Sequence, residues 1–574
     1  MINFAATLLI SFTILEQVAA FQPSSYLSNA NGGFRTNAFP NKHRSVNADP
    51  RPTATGTQLS ALKLSLSALG IGKKKKKQQQ EEIKYEVKST TELEEYFDDK
   101  ERRFRKSNGD IDYDKLIVPL SVKGDTQILG SQDDLDFVHP VLQLIHDRRR
   151  DNSPLTPTNE VRPDGRKVAL VVEGGGMRGC ISAGMVGALY YLGLEDTFDV
   201  IYGSSAGTII GAYFNTRQLP WFGPEIYYDS LTTSGKKFVD SKRLLRTLGL
   251  GLLDPRLLKD VVTRPSFGKP VLNLDFLMKE TVQEKKPLDW EKFVEMQKVQ
   301  PIKVVASALK SEKSISIEMA DGGFTSLNEF TQAAHGSCLL PGIAGPVMNY
   351  DQHANKNGSS KKFFVKNKVD LPHVEPLADS LIFEPLPFQT AFDEGATDVV
   401  VLRTRPDGVD VTGKTSVFEK LIFRRFFARK NKLHHIYKYM RMHQQKKTYA
   451  KLVLELNAAS KGKGDKSMMA VAVPPGSKEV ARLENRREVI FDGVRRGFAR
   501  AYDALVEDPN ERGRGMEVAK QVMPDEILDY DPLKINAGNK SAFEVFLKEK
   551  AANGEGYDLP SITGMTALEA GLPR

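Results

Sequence analysis

Two cysteines in 574 residues, Cys180 and Cys338, are too few for a disulfide framework, and both lie in core-like stretches that suit buried free thiols. No set of His and Cys residues has metal-ligand spacing, so the sequence calls for no metal and no other cofactor. Residues 4–15 are mostly apolar and uncharged, but such a run is too short to span a bilayer comfortably. Positive charge is also scarcer than the net +9 suggests. Residues 1–80 hold ten Lys/Arg against Glu16 and Asp49, which is +8 of the +9 and leaves +1 for all the rest. Nothing in that balance supports a nucleic-acid partner.

The stretch from 167 to 213 organises the chain. Residues 168–172 are an unbroken apolar run rich in β-branched side chains, the pattern of a strand covered on both faces of a parallel sheet. Glu173-Gly174-Gly175-Gly176-Met177-Arg178-Gly179 follows, and apolar residues at helical spacing fill 181–192. A second strand over 198–202 runs into Gly203-Ser204-Ser205-Ala206-Gly207, a G-x-S-x-G pentapeptide. In that pattern the serine sits on a sharp strand-to-helix turn, for which Gly203 and Gly207 leave room. The turn lifts the Ser205 hydroxyl to a helix N-terminus, where developing negative charge is favoured. The upstream glycine loop offers further unobstructed N–H groups that can hold an oxyanion. The same glycines satisfy G-x-G-x-x-G, but Glu195, Asp196 and Asp199 come too early for a dinucleotide fold, and no Gly-Lys-Ser/Thr follows for a phosphate loop.

Gly-Gly-Gly-Met-Arg-Gly followed by Gly-Ser-Ser-Ala-Gly resembles the patatin-like phospholipase family, over roughly residues 139–505. The stretches Val271-Leu272-Asn273-Leu274-Asp275-Phe276-Leu277 and Val401-Leu402-Arg403-Thr404-Arg405-Pro406 make it similar to the bacterial-type branch. The resemblance implies an α/β fold of three α/β/α layers with a mostly parallel central sheet, a disordered N-terminal leader and C-terminal helices. It also implies a cofactor-free Ser–Asp dyad that cleaves fatty-acyl esters of membrane glycerolipids, phospholipid or galactolipid. Ser205 would be the nucleophile, with an oxyanion hole drawn from Gly174, Gly175, Gly176, Arg178 and Gly179. The family's aspartate sits in a D-G-G/A turn. Asp321-Gly322-Gly323 has those letters but precedes the helix and Pro-containing segment over 327–346, so it reads as a hairpin turn. By position the match is Asp379, where Ser380 and Leu381 replace both glycines and would be strained if the turn needs positive φ. Three other readings stay open: a Ser–His–Asp hydrolase using His434, His435 or His443, a catalytically weak lipid-binding protein, and an acyltransferase sharing the acyl-enzyme.

The chain divides by composition into a signal peptide (1–20), a basic transit-like leader (21–80), a helical extension and linker (81–164), the catalytic unit (165–406), a basic helical region (407–510) and a tail (511–574). Val18-Ala19-Ala20 resembles a cleavage site, and a signal peptide followed by a Phe-led, acid-poor segment resembles the two-part plastid address of algae with secondary plastids, plain secretion being the alternative. Residues 349–374, polar and rich in Asn, Lys and Gly, read as a long loop beside the site. Residues 414–451 interleave many Lys/Arg with Phe, Leu and Ile, which suits an amphipathic helix on an anionic membrane surface or against the core. Residues 479–505 read as one core-facing helix.

Overall fold

A run such as Val168–Val172, apolar at every position, has no side to give to water and needs cover on both faces. The computed structural model describes residues 84–126 except 106 and 108–110, then 138–219, 221–240, 243, 270–354, 361–365, 371–413, 415–530 and scattered positions between 545 and 554. The signal-peptide and leader expectations for residues 1–80 lie outside the described residues.

Two short strands, β1 (Tyr85–Glu86) and β2 (Leu120–Ser121), pair in parallel. The main sheet has nine strands. In chain order they are β3 (Val168–Val172), β4 (Val200–Ser204), β5 (Ile302–Ala308), β6 (Lys313–Ile317), β7 (Met348–Asp351), β8 (Phe363–Phe364), β9 (Val374–Ala378), β10 (Asp398–Leu402) and β11 (Met468–Val471). Their spatial order is β11-β10-β3-β4-β5-β9-β7-β8, with β6 also paired to β5. β11, β10, β3, β4 and β5 run parallel, while β6, β9, β7 and β8 form an antiparallel flank.

The helices that cover the sheet are α1 (Thr90–Arg103), α2 (Pro140–Arg150), α3 (Cys180–Tyr191), α4 (Ala206–Asn215), α5 (Leu327–Ser337), α6 (Gln444–Ser460) and α7 (Arg487–Leu505). Successive side chains of a strand point to opposite faces, so one sheet feeds two cores. Leu170, Ile201, Val304 and Val400 pack with α2, α3, α4, α5 and α7. Val171, Tyr202, Val305 and Val401 pack with α1 and α6. The result is the expected three-layer α/β/α arrangement with a mostly parallel sheet.

Several expectations need correction. The boundaries at 164 and 406 do not separate compact units, because the described residues from Lys84 onward form one. α1 and α6, assigned to an extension and to a separate basic region, supply one whole helical layer, and β11 joins the sheet beside β10. Burying β10 on both edges requires that strand, and Met468–Val471 is fully apolar. The polar segment 349–374 is no simple loop: it carries most of β7 and all of β8, which extend the antiparallel flank. Asp321 is a turn residue, but its turn follows β6, whereas the β5–β6 hairpin turns over residues 309–312. The helix expected to begin at 479 begins at Arg487; Glu484 bonds to the N–H groups of Asn485 and Arg486 and holds the preceding segment non-helical. In the basic stretch Ile422, Phe426 and Phe427 turn into the core, leaving Val417 and Leu421 exposed.

Among the described residues no helix is long and apolar enough to cross a membrane, and no group of three or more His, Cys, Asp and Glu could hold a metal ion.

Candidate active site

β4 ends at Ser204, and the next residue takes φ 52° and ψ −126° before α4 begins. Those angles are costly for a residue with a Cβ and hold only where the surroundings enforce them. Here they do. A Cβ on Gly207 would lie 2.0 Å from the Val172 carbonyl oxygen, and one on Gly203 would lie 2.4 Å from Thr208 Cα. The turn is therefore pressed against β3 with only glycine at its flanks. The Ser205 N–H donates to Ser337 Oγ at 2.8 Å, and that hydroxyl donates to the Val305 carbonyl at 2.5 Å. The elbow is thus tied to the end of α5 and to β5.

The topology also delivers Asp379. Along β5, residues 302–305 pair with β4 and residues 307–308 pair with β9, while β6 occupies the opposite edge. β4 is parallel to β5 and β9 antiparallel, so the two run toward each other along one edge and stop with their C-terminal ends meeting. Ser205 and Asp379 are the first residues past those ends. Ser205 Oγ donates to Asp379 Oδ2 at 2.9 Å, and Leu381 N–H donates to Oδ1 at 2.9 Å. The backbone is fixed as well: Asp379 N–H donates to Leu339 O at 3.0 Å, and Ser307 Oγ donates to Asp379 O at 2.9 Å.

The feared strain at Ser380 and Leu381 does not arise. Asp379 sits at φ −49°, Ser380–Ile382 form a 3₁₀ turn, and none of these residues has positive φ. A turn closed by the aspartate's own carboxylate needs no glycine. Burial pushes the Asp379 pKa above the ordinary carboxylate value, opposed by the Leu381 N–H, the Ser205 hydroxyl and the Arg482 charge. The neighbouring Cys338 thiol is also pushed up, chiefly by burial and then by Asp379.

The glycine loop closes the third side. A Cβ on Gly174 would lie 2.4 Å from Ser204 O and 2.7 Å from Ser205 Cβ, so only glycine lets the loop reach Ser205. Gly175 and Gly176 take φ 151° and 60°, and neither N–H has an acceptor among the described residues. The other expected contributors do different work. Gly174 N–H is spent on Ser204 Oγ at 3.2 Å, which in turn donates to Pro385 O at 3.0 Å. Gly179 packs against the Tyr227 hydroxyl, which a Cβ would meet at 2.4 Å, and lies outside the cleft wall. Arg178 is buried, borders the cleft and is paired with Glu479.

Sequence reasoning missed the residues that brace this loop. Glu173 accepts from Thr404 N–H at 2.6 Å and from the Tyr449 hydroxyl at 2.9 Å, while Thr404 Oγ1 donates to Gly174 O at 2.8 Å. Met177 N–H donates to Arg482 O at 3.0 Å. No local signal marks Ser337, Tyr449 or Arg482, since each reaches the site from a distant element. Glu173, Met177, Tyr449 and Arg482 border a partly open cleft with Ser205 and Asp379, and its wall continues through Ile209, Leu231, Leu272, Leu277 and Leu340. That apolar run suits an acyl chain.

The histidines stand elsewhere. His443 contacts Thr415 Oγ1 at 3.1 Å and Asp114 at 2.9 Å, His435 contacts Leu309 O at 2.8 Å, His434 is exposed, and none lines the cleft. Asp321 is exposed and lines no part of it either.

No curated relative matches the chain. Among solved structures it is similar to the crystal structure of VipD from Legionella pneumophila, with TM-score 0.29 and 11% sequence identity over 69% of this chain and 82% of that one. Residues 170–391 match the family model for the patatin-like phospholipases, a span that includes the glycine loop, Ser205 and Asp379. Over those residues the chain carries the domain of the patatin-like phospholipases, a family of lipid acyl hydrolases.

Proposed function

We propose that the chain cleaves fatty-acyl esters of membrane glycerolipids with Ser205 as nucleophile and Asp379 as base, and the 2.9 Å hydrogen bond between them is the observation that carries this reading. Ser205 Oγ attacks the acyl carbonyl as its proton passes to Asp379 Oδ2. The N–H groups of Gly175 and Gly176 hold the oxyanion, aided by the positive end of α4. Collapse of the tetrahedral intermediate expels the lipid alkoxide, which takes the proton from Asp379 and leaves an acyl-serine. Water, deprotonated by the same carboxylate, then releases the fatty acid and restores Ser205. A carboxylate near its ordinary pKa of ~3.9 is a weak base, so the upward push from burial improves the match.

The test combines fluorophosphonate labelling with fatty-acid release from lipid vesicles. Rapid labelling of wild type and loss of both signals in Ser205→Ala are expected; full release by Ser205→Ala would end the proposal. Exposed Val417 and Leu421, one helical turn apart beside exposed Arg424 and Arg429, support peripheral docking on an anionic membrane. Residues 1–80 are proposed to direct the protein to a plastid, and a fluorescent fusion exported or left in the cytosol would refute that.

A further inference from the structure

Glu479, rather than the catalytic aspartate, points to an unassigned role nearby. Its carboxylate is shared by Arg178, with which it forms a close ion pair, and by Arg405, whose Nε lies 3.6 Å away. Glu173, the other carboxylate of the neighbourhood, accepts from Thr404 and Tyr449 and also acts on Arg178, so two carboxylates face three guanidiniums. Arg482 stands in the same cluster and in the cleft wall with Ser205 and Asp379, yet no carboxylate pairs with its side chain among the described residues. The crowding is felt. Arg178 is brought down to about 10, first by burial and then by the charges of Arg405 and Arg482, and its Nε is buried without a partner. A group of guanidiniums with too few carboxylates is a site that lacks an anion.

The anion would have to lie beside the reacting ester, because the position of Arg482 is fixed there. Its carbonyl accepts the Met177 N–H at 3.0 Å, and a Cβ on Gly176 would meet that carbonyl oxygen at 2.7 Å. The backbone of Arg482 is thereby anchored beside the glycine loop, and the charge its side chain carries acts on both Asp379 and Arg178. In a glycerophospholipid the phosphate is only a few bonds from the ester carbonyl, whereas a galactolipid presents uncharged hydroxyls at that distance. We propose that Arg482 is a specificity-determining residue that binds the phosphodiester of the lipid headgroup and selects phospholipids over uncharged glycolipids. This rests on the hydrolase reading above and assigns the polar end of the same cleft.

The experiment compares wild type, Arg482→Gln and Arg482→Lys on vesicles of a phosphatidylglycerol and of a monogalactosyl diacylglycerol with identical acyl chains. The ratio of the two kcat/KM values is the readout, since any influence of Arg482 on Asp379 or on the glycine loop acts on both substrates and cancels. Arg482→Gln is expected to lower the ratio about ten- to hundredfold, mainly through a higher KM for the phospholipid, and Arg482→Lys to restore part of it. An unchanged ratio overturns the proposal while leaving the hydrolase reading intact; no hydrolysis of either lipid by wild type overturns both. Inorganic phosphate added to the galactolipid assay separates a headgroup from the free ion. Inhibition by phosphate in wild type with no preference for the phospholipid overturns the headgroup assignment.

Discussion

Ser337 Oγ accepts the N–H of Ser205 at 2.8 Å while donating to the carbonyl of Val305, so the backbone of the proposed nucleophile is held by a side chain 132 residues downstream. The bond has consequences beyond its own strength. Ser205 sits at φ 52°, and a strained residue stays strained only while something opposes its relaxation. Ser337→Ala leaves the buried Ser205 N–H without an acceptor, and a loss of about 1–3 kcal/mol in chemical denaturation is expected. A fall in kcat larger than any change in KM should accompany it, because the hydroxyl loses its aim at Asp379 while the acyl-chain wall is untouched.

Asp379 links activity to pH and to stability in opposite senses. Its folded pKa is raised by burial, so the native state disfavours the carboxylate that the proposed mechanism requires. Activity should rise with pH through an apparent pKa above the ordinary ~3.9. The stability cost is absent below the unfolded pKa, grows between that value and the raised folded one, and is complete above it. Asp379→Asn should lower kcat/KM about 10²–10⁴-fold. The melting temperature of that variant relative to wild type should increase from acid to neutral pH, and a difference that shrinks over this range would contradict the assigned direction.

Gly174 and Gly179 lie in one motif but differ in what a methyl group would do. At Gly174 the added Cβ strikes Ser204 O and Ser205 Cβ, displacing the amides of Gly175 and Gly176, the proposed oxyanion donors, from Ser205. Gly174→Ala should therefore lose kcat by about a hundredfold or more with a modest change in KM. At Gly179 the obstacle is the hydroxyl of Tyr227, so pairing Gly179→Ala with Tyr227→Phe should recover much of the lost thermal stability.

His434 and His435 are exposed and lie outside the cleft wall. Replacing both with Gln should leave hydrolysis within about twofold of wild type, as surface changes usually do. His443→Gln is different, because it disturbs contacts to Thr415 and Asp114 and should cost stability more than turnover. A collapse of kcat in the double variant would favour a histidine base over Asp379.

The order of these features along the chain explains what could be read in advance. The run Val168–Val172, the glycine loop and the elbow at Ser205 are local: short-range sterics and apolar periodicity specify them, and the sequence by itself determined a buried parallel strand, a tight turn and a serine at its apex. The sequence order pointed to Asp379, but only the packed chain decided that it meets Ser205. That meeting depends on β4 and β9 sharing one edge of β5, a relation between pairings that no local pattern encodes. The same holds for β11, whose four apolar residues acquire meaning only beside β10, for Ser337, which reaches the elbow, and for Tyr449 and Arg482, which reach the glycine loop from distant parts of the chain. Local chemistry chose the parts, and long-range strand pairing and burial chose their neighbours, because contacts between residues far apart in sequence form only once the chain has closed around a common core.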